Sequence, residues 1–205
     1  MTMPRAIVAL LSAASLAGCA TPMPQPQSVQ DQFFAALFSH CGMAYAGALV
    51  SDEAADDDMR GRAMVMHVRE CTDTRIAVPF HVQNADGSWD RSRTWLISRT
   101  ATGFRLKHDH RHADGSADAV TFYGGDTASG GTARAQDFPV DAESIAMFTA
   151  HDLAASVTNV WRVEVDPAGT PDARYAYQLS RANRLFRVEF DLTKPVEAPP
   201  APWGW

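Results

Sequence analysis

Hydrophobic and polar positions alternate over short stretches along most of this chain, which is typical of half-buried β-strands. Each stretch is rich in Val, Thr and aromatic residues, and turns containing Gly, Pro or Asn separate the stretches. The pattern predicts about nine strands. Their ranges are 43–50, 62–71, 75–82, 93–100, 104–112, 118–124, 157–165, 174–179 and 185–192.

Two stretches show helical spacing instead. Residues 31–38 carry four apolar side chains three and four positions apart behind Asp31, which can cap a helix. Residues 142–150 follow Pro139 and Asp141 and have a similar apolar stripe. Many strands, short connections and few helices predict a mainly β fold. We expect an antiparallel meander that forms a lipocalin-like barrel or a sandwich, with one or two short helices.

The N-terminus reads as an export signal. An apolar run at 6–16 follows the lone cation Arg5 and ends in Leu16-Ala17-Gly18-Cys19. A membrane span needs about 20 apolar residues, so this shorter run predicts a signal peptide. The ending also resembles the lipobox of bacterial lipoproteins. That resemblance implies cleavage before Cys19 and lipidation of its thiol; the alternative is an ordinary secretion signal with an incidental cysteine.

These features predict the organisation of the chain. We expect a signal peptide at 1–18, a lipidated Pro/Gln-rich tether at 19–30, a single β-rich domain at 31–194 and a Pro-rich tail at 195–205. Ala20 resembles the sorting position of outer-membrane lipoproteins. The expected location is therefore the bacterial envelope, with the lipid as the membrane contact and the outer membrane, facing the periplasm, as the site of anchoring.

The charge balance argues against some classes of binding partner. The chain has 18 basic and 24 acidic residues, a formal net charge of −6, and no Lys/Arg cluster. This composition argues against nucleic-acid binding. No Gly-x-Ser-x-Gly motif is present, and the sequence favours a protein that is not an enzyme. It identifies no protein partner.

Cys41 and Cys71 remain as a pair once Cys19 is assigned to lipid. An oxidising compartment favours a disulfide between them, and their separation lacks Cys-x-x-Cys character. Closing a loop of about 31 residues stabilises a fold by about 3–4 kcal/mol in the chain-entropy model. A metal–thiolate or redox pair is the alternative.

The stretch from Phe104 to His112 contains three histidines at alternate positions. In a strand, His108, His110 and His112 share one face with Phe104 and Leu106. A three-residue loop at 113–115 sets His108 opposite residue 120, whereas a two-residue turn sets it opposite residue 121. We prefer the first register. It predicts a barrel or sandwich whose interior becomes polar toward one mouth.

Alternate histidines on one strand can bind zinc or another transition metal. Two of His108, His110 and His112 would need a third ligand, for which His67, His81 and Asp118 are candidates. The alternative interpretation is a set of half-buried histidines that pack over the end of a sheet. A second candidate lies at 90–95, where two arginines precede an aromatic residue. This pattern suits an anion or a sugar, or else a strand entry with Trp95 in the core.

Segments 66–71, 90–95, 106–112 and 123–125 resemble those of uncharacterised proteobacterial secreted proteins, a resemblance that implies no activity. We therefore expect a non-enzymatic envelope lipoprotein that binds a small apolar or amphipathic ligand, or serves as an accessory domain. A ligand binder predicts a mainly apolar cavity of a few hundred Å³. The alternatives are a metalloprotein or metal-dependent enzyme centred on the histidines, and a structural module with a filled core.

Overall fold

The computed structural model describes residues 27–205. Cys19, the predicted signal peptide and most of the tether lie outside the described residues. The helices are α1 (Val29–Phe38) and α2 (Ala142–Ala150), with short 3-10 turns at Ala54–Asp56 and Ala154–Ser156. The strands are β1 (Ala44–Leu49), β2 (Met64–His67), β3 (Glu70–Cys71), β4 (Arg75–Gln83), β5 (Trp89–Arg99), β6 (Phe104–His110), β7 (Tyr123–Asp126), β8 (Ala135–Pro139), β9 (Val160–Val165), β10 (Arg174–Arg181) and β11 (Arg184–Val196).

The described strands form one antiparallel sheet in the order β7-β6-β5-β4-β2-β1-β11-β10-β9-β8, with β3 paired to β4. Neighbours in the sheet are mostly neighbours in the chain, which makes the fold a meander. The main exception is the pairing of β1 with β11, the first and last of the described strands, in which Ala44 lies opposite Val196. A sandwich needs two sheets. The predicted antiparallel β fold is thus confirmed, in the form of a nearly closed barrel with two helices.

The barrel closes where β7 reaches the end of β8. The Asp141 amide donates a hydrogen bond to the Gly124 carbonyl oxygen at 2.9 Å. The Gly124 amide donates to the Ser144 hydroxyl of α2 at 2.8 Å. A Cβ atom on Gly125 would overlap the carbonyl oxygen of Pro139. The absence of a side chain at this position therefore allows the two edges to approach.

Helix α1 covers one end of the barrel. It buries Phe33, Phe34 and Leu37, and the Phe34 ring stacks on that of Phe104 at 5.8 Å. The helix begins earlier than predicted, because Ser28 and not Asp31 is its N-cap. Asp31 instead accepts a hydrogen bond from the Arg99 guanidinium at 2.7 Å.

The Cys41–Cys71 disulfide is confirmed, with sulfurs 2.01 Å apart. It joins the segment after α1 to β3. Strand β11 continues to Val196, two residues beyond the predicted end of the domain. The remaining tail folds back onto β5, where the Trp203 amide donates to the Arg91 carbonyl oxygen at 3.1 Å and the Arg91 guanidinium donates to the Ala201 carbonyl oxygen at 2.7 Å.

Two of the predicted strands need correction, and one strand was not predicted. The predicted strand at 62–71 is interrupted at 68–69, between β2 and β3. The predicted strand at 118–124 is wrong except for its last two residues, because Asp118 accepts a hydrogen bond from the Val120 amide at 2.8 Å and forms a turn. His108 consequently lies opposite Tyr123, and neither predicted hairpin register is correct. Strand β8 was missed, since its five residues lack strict alternation and end in Pro139.

Substituting Gly125 by Ala should destabilise the barrel, because the new methyl group meets backbone and not a movable side chain. We expect a loss of about 1–3 kcal/mol in the free energy of unfolding, measured by urea denaturation. Gly130→Ala is the matched control, since the nearest heavy atom to an added Cβ there is 4.0 Å away. Equal stabilities of the two variants would contradict this account of closure.

Candidate functional site

The inner face of β6 carries the histidines toward the end of the barrel opposite α1. Phe104, Leu106 and His108 are buried, and His110 is half-buried at the rim. His108 lies opposite Trp95 and His110 opposite Arg93 in the pairing with β5. The interior thus becomes polar toward one mouth at His108 and His110, as predicted.

Hydrogen bonds define the tautomer of His108. Its Nδ1 lies 3.0 Å from the carbonyl oxygen of Tyr123, which can only accept. Nδ1 therefore carries the proton, and Nε2 accepts from the Tyr177 hydroxyl at 2.7 Å. Because that hydroxyl donates to His108, its oxygen lone pairs are left to accept a further hydrogen bond. The buried imidazole is neutral and satisfied at both nitrogens.

Burial keeps these groups uncharged. Removal from water lowers the pKa of His108 to about 3 and that of His110 to about 4. Burial also raises the pKa of Tyr123 to about 12 and that of Tyr177 well above its ordinary value. At neutral pH the site thus presents neutral imidazoles and phenols, which can donate and accept hydrogen bonds without carrying charge.

Tyr123 covers the histidines. Its ring stacks on that of His108 with centroids 4.6 Å apart, and its hydroxyl lies 3.1 Å from Nε2 of His110. The preceding residue, Phe122, has a left-handed φ of 54° that is costly for a bulky side chain. The Phe122 amide donates to the His108 carbonyl oxygen at 2.7 Å. This strained residue joins the 111–122 loop to β7 directly before Tyr123.

A cavity of about 130 Å³ opens beside these groups. Its lining is mostly aromatic and aliphatic, with the histidines, two tyrosines and one arginine as the polar members. The lining residues are Met59, Phe80, Arg93, Trp95, His108, His110, Tyr123, Tyr177, Leu179 and Phe186. The cavity is smaller than the few hundred Å³ expected for a ligand-binding barrel, because large side chains fill the interior beneath it. Trp95, for example, stacks on Tyr177 at 4.3 Å and on Phe80 at 4.9 Å.

Larger hollows lie elsewhere, including one of about 390 Å³ beside the C-terminal tail and one of about 210 Å³ beside Asp172. A groove of about 620 Å³ beside α1 borders Gln27, where the described residues begin. A hollow of about 370 Å³ on the outer face of β8–β11 is lined by arginines and carboxylates that already pair, such as Arg162 with Glu164 at 2.6 Å. The mouth cavity differs from these hollows because the buried side chains of His108 and Tyr177 are among its polar lining groups.

The three histidines do not converge on a metal site. His112 lies beyond the end of β6, where its Nε2 is 3.9 Å from Asp118 on the exposed loop. His81 pairs with Val65 on the outer face, since its neighbours Phe80 and Val82 face the core. Among residues 27–205, no group of three His, Cys, Asp or Glu side chains is placed to hold a metal ion. The zinc hypothesis therefore gains no geometric support from the described part of the chain.

Sequence reasoning missed much of the cavity wall. Tyr177, Leu179 and Phe186 come from β10 and β11, about 70 residues after the histidines in the chain, and only closure of the barrel places them opposite β6. Arg93 and Trp95 did stand out in the 90–95 segment. The usable signal was their alternation, which places both on the inner face.

Lowering the pH should destabilise the protein before its carboxylates titrate. His81, His108 and His110 have pKa values of about 4, 3 and 4 when folded and about 6.5 when unfolded. The unfolded chain therefore binds more protons below pH 6.5, and stability falls as the pH drops from 6.5 to 4.5. Each group contributes up to about 1.4 kcal/mol per pH unit.

Denaturant titrations across this range measure that slope. His108→Gln should reduce it, because one of the three most strongly shifted groups is removed; His40 and His67, whose pKa values burial also lowers, remain. His151→Gln, at an exposed residue after α2, serves as the control and should leave it unchanged. A flat profile for the unsubstituted protein would show that these histidines protonate without cost in the folded state.

Among the described residues, no helix combines the length and apolar character needed to cross a bilayer. Comparison of the chain with protein-family models, curated proteins and solved structures finds no match. The resemblances to lipoproteins and to secreted proteobacterial proteins therefore stay predictions.

Proposed function

We propose that this protein is an envelope lipoprotein whose barrel binds one small amphipathic ligand at its mouth, without catalysing a reaction. The observation that carries the proposal is the cavity beside His108, where apolar walls surround a few buried hydrogen-bonding groups. This combination is typical of small-molecule sites.

The volume limits the ligand. A dry cavity of about 150 Å³ is known to hold a benzene molecule, so a cavity of about 130 Å³ suits a single ring or a short chain. A larger molecule would insert only one end. The Tyr177 oxygen offers an acceptor, so a ligand hydroxyl or amine suits this wall.

The export part of the proposal rests on separate support. The Cys41–Cys71 disulfide suits an oxidising compartment. The described chain begins at α1, at the end of the barrel away from the mouth. Lipid at Cys19 would thus attach the protein by the closed end and leave the mouth accessible.

Titration with phenol and benzyl alcohol, followed by protein-observed NMR, tests ligand binding. We expect shifts at Trp95 and Tyr177 with a Kd of about 0.1–1 mM for ligands of this size. Leu179→Phe, which adds volume to the cavity wall, should weaken binding at least about tenfold because the space is small.

Leu185→Phe is the matched control, because Leu185 is exposed and outside the cavity. It should bind both probes like the parent protein. Absence of shifts at the mouth, or equal affinities in the two variants, would favour the structural interaction module instead.

Expression of the full chain in a bacterium that lipidates lipoproteins tests the anchor. The protein should be found in the membrane fraction with the mass of a lipidated chain that begins at Cys19. Cys19→Ala should abolish the lipid mass, because the acceptor thiol is lost, whereas Thr21→Ala should retain it. A mature chain without lipid, or one cleaved elsewhere, would indicate that the N-terminus is an ordinary secretion signal.

A further inference from the structure

We infer that the ligand of the mouth is a small monocarboxylate with a planar apolar body, the class to which benzoate belongs, and that Arg93 binds its acid group. This inference rests on the proposed ligand-binding function and adds the charge of the ligand. Apart from the neutral histidines, Arg93 is the basic side chain among the described residues that line the cavity. It lies opposite His110 in the pairing of β5 with β6, at the rim.

Within residues 27–205, most N–H groups of the Arg93 guanidinium donate no hydrogen bond. Nη1 of Arg93 donates to Oδ2 of Asp90 at 2.5 Å, and within residues 27–205 it is the one hydrogen bond of this side chain. The side chain is 28 % exposed, so its other N–H groups are accessible from the cavity. A planar guanidinium pairs with a carboxylate through two parallel hydrogen bonds, which gives both strength and orientation.

Asp90 does not occupy the remaining N–H groups of Arg93. Its Oδ1 accepts from the Ser92 amide at 3.0 Å, and this local turn holds the carboxylate on the strand entry. Asp90 therefore engages one edge of the guanidinium and helps to fix its position. The imidazoles and phenols of the cavity are neutral at pH 7. Asp90 is the carboxylate paired with Arg93, and Asp109 and Asp118 add negative charge near His110.

The walls select the body of the ligand. Trp95 and Tyr177 stack nearly parallel, with 14° between their planes. Because these two rings lie against each other, with centroids 4.3 Å apart, a ligand ring would pack against the apolar wall that they form with Phe186 and Leu179 and not between them. A ring in this position whose carboxylate points to the rim reaches Arg93, and the buried Tyr177 hydroxyl lies on the inner side.

Benzoate and benzamide form a matched pair of probes, because they share shape and differ in charge. Isothermal titration at pH 7.5 should show benzoate binding at least about tenfold more tightly than benzamide, a difference of about 1.4 kcal/mol. Arg93→Gln should reduce this preference to less than about twofold, because the charge-assisted pair with the carboxylate is lost while a neutral donor remains for either probe. Arg105→Gln, on an exposed arginine of β6, is the control and should keep the preference.

Asp90→Asn provides a variant that gains affinity. It removes an opposing charge and retains an oxygen for the Ser92 amide, so benzoate should bind more tightly while benzamide does not change. Thermal melts confirm that each variant is folded.

Three outcomes separate the hypotheses. Preference for benzoate that depends on Arg93 supports the inference. Equal binding of both probes overturns it and leaves a neutral ligand, so the proposed function stands. Failure of both of these probes, and of phenol and benzyl alcohol, removes the carboxylate and the ligand-binding function together.

Discussion

The close backbone contact between β7 and the end of β8 is the constraint on which the mouth depends. Gly125 allows the two edges of the sheet to meet, and Gly124 allows β7 to approach Leu106 of β6. Ser144 of α2 holds this place by hydrogen bonds to Gly124. Tyr123 immediately precedes these glycines, so closure also positions its ring over His108. The same contact thus completes the wall and covers the buried imidazole. Bulk at this position would disturb both.

The inner face of the barrel combines an apolar core with polar groups in a gradient. Phe104 and Leu106 pack toward α1, and His108 and His110 follow toward the mouth on the same strand. His108 has a hydrogen-bond partner at both nitrogens. Within residues 27–205 this is not general, since the indole nitrogen of Trp161 and the hydroxyl of Tyr175 are buried without a partner. Satisfied groups such as the His108 imidazole allow burial without charge, because an unpaired polar group would carry a large desolvation cost. The result is an aromatic mouth with uncharged imidazoles and the cation Arg93 at its rim.

Much of this fold follows from local pattern. Alternation identified most strands, and the helix at 142–150 matches α2 in both bounds. The alternating histidines correctly indicated which residues of β6 face inward. The predicted hairpin after β6 is wrong because Asp118 forms a turn and Phe122 adopts a left-handed conformation. Neither effect can be seen in a hydrophobic pattern. The cavity wall from β10 and β11 depends on long-range closure, which single-sequence periodicity does not encode.

The pairing of β1 with β11 has a consequence for how the molecule is made. Ala44 and Val196 are neighbours in the sheet although most of the domain separates them in the chain. Loop closure over such a distance costs entropy before any contact compensates, and folding of this topology is correspondingly slow. During synthesis β1 therefore has no partner on this side until the last strand has emerged. The barrel cannot close around an incomplete sheet, so the partly made chain stays open until β11 can pair with β1.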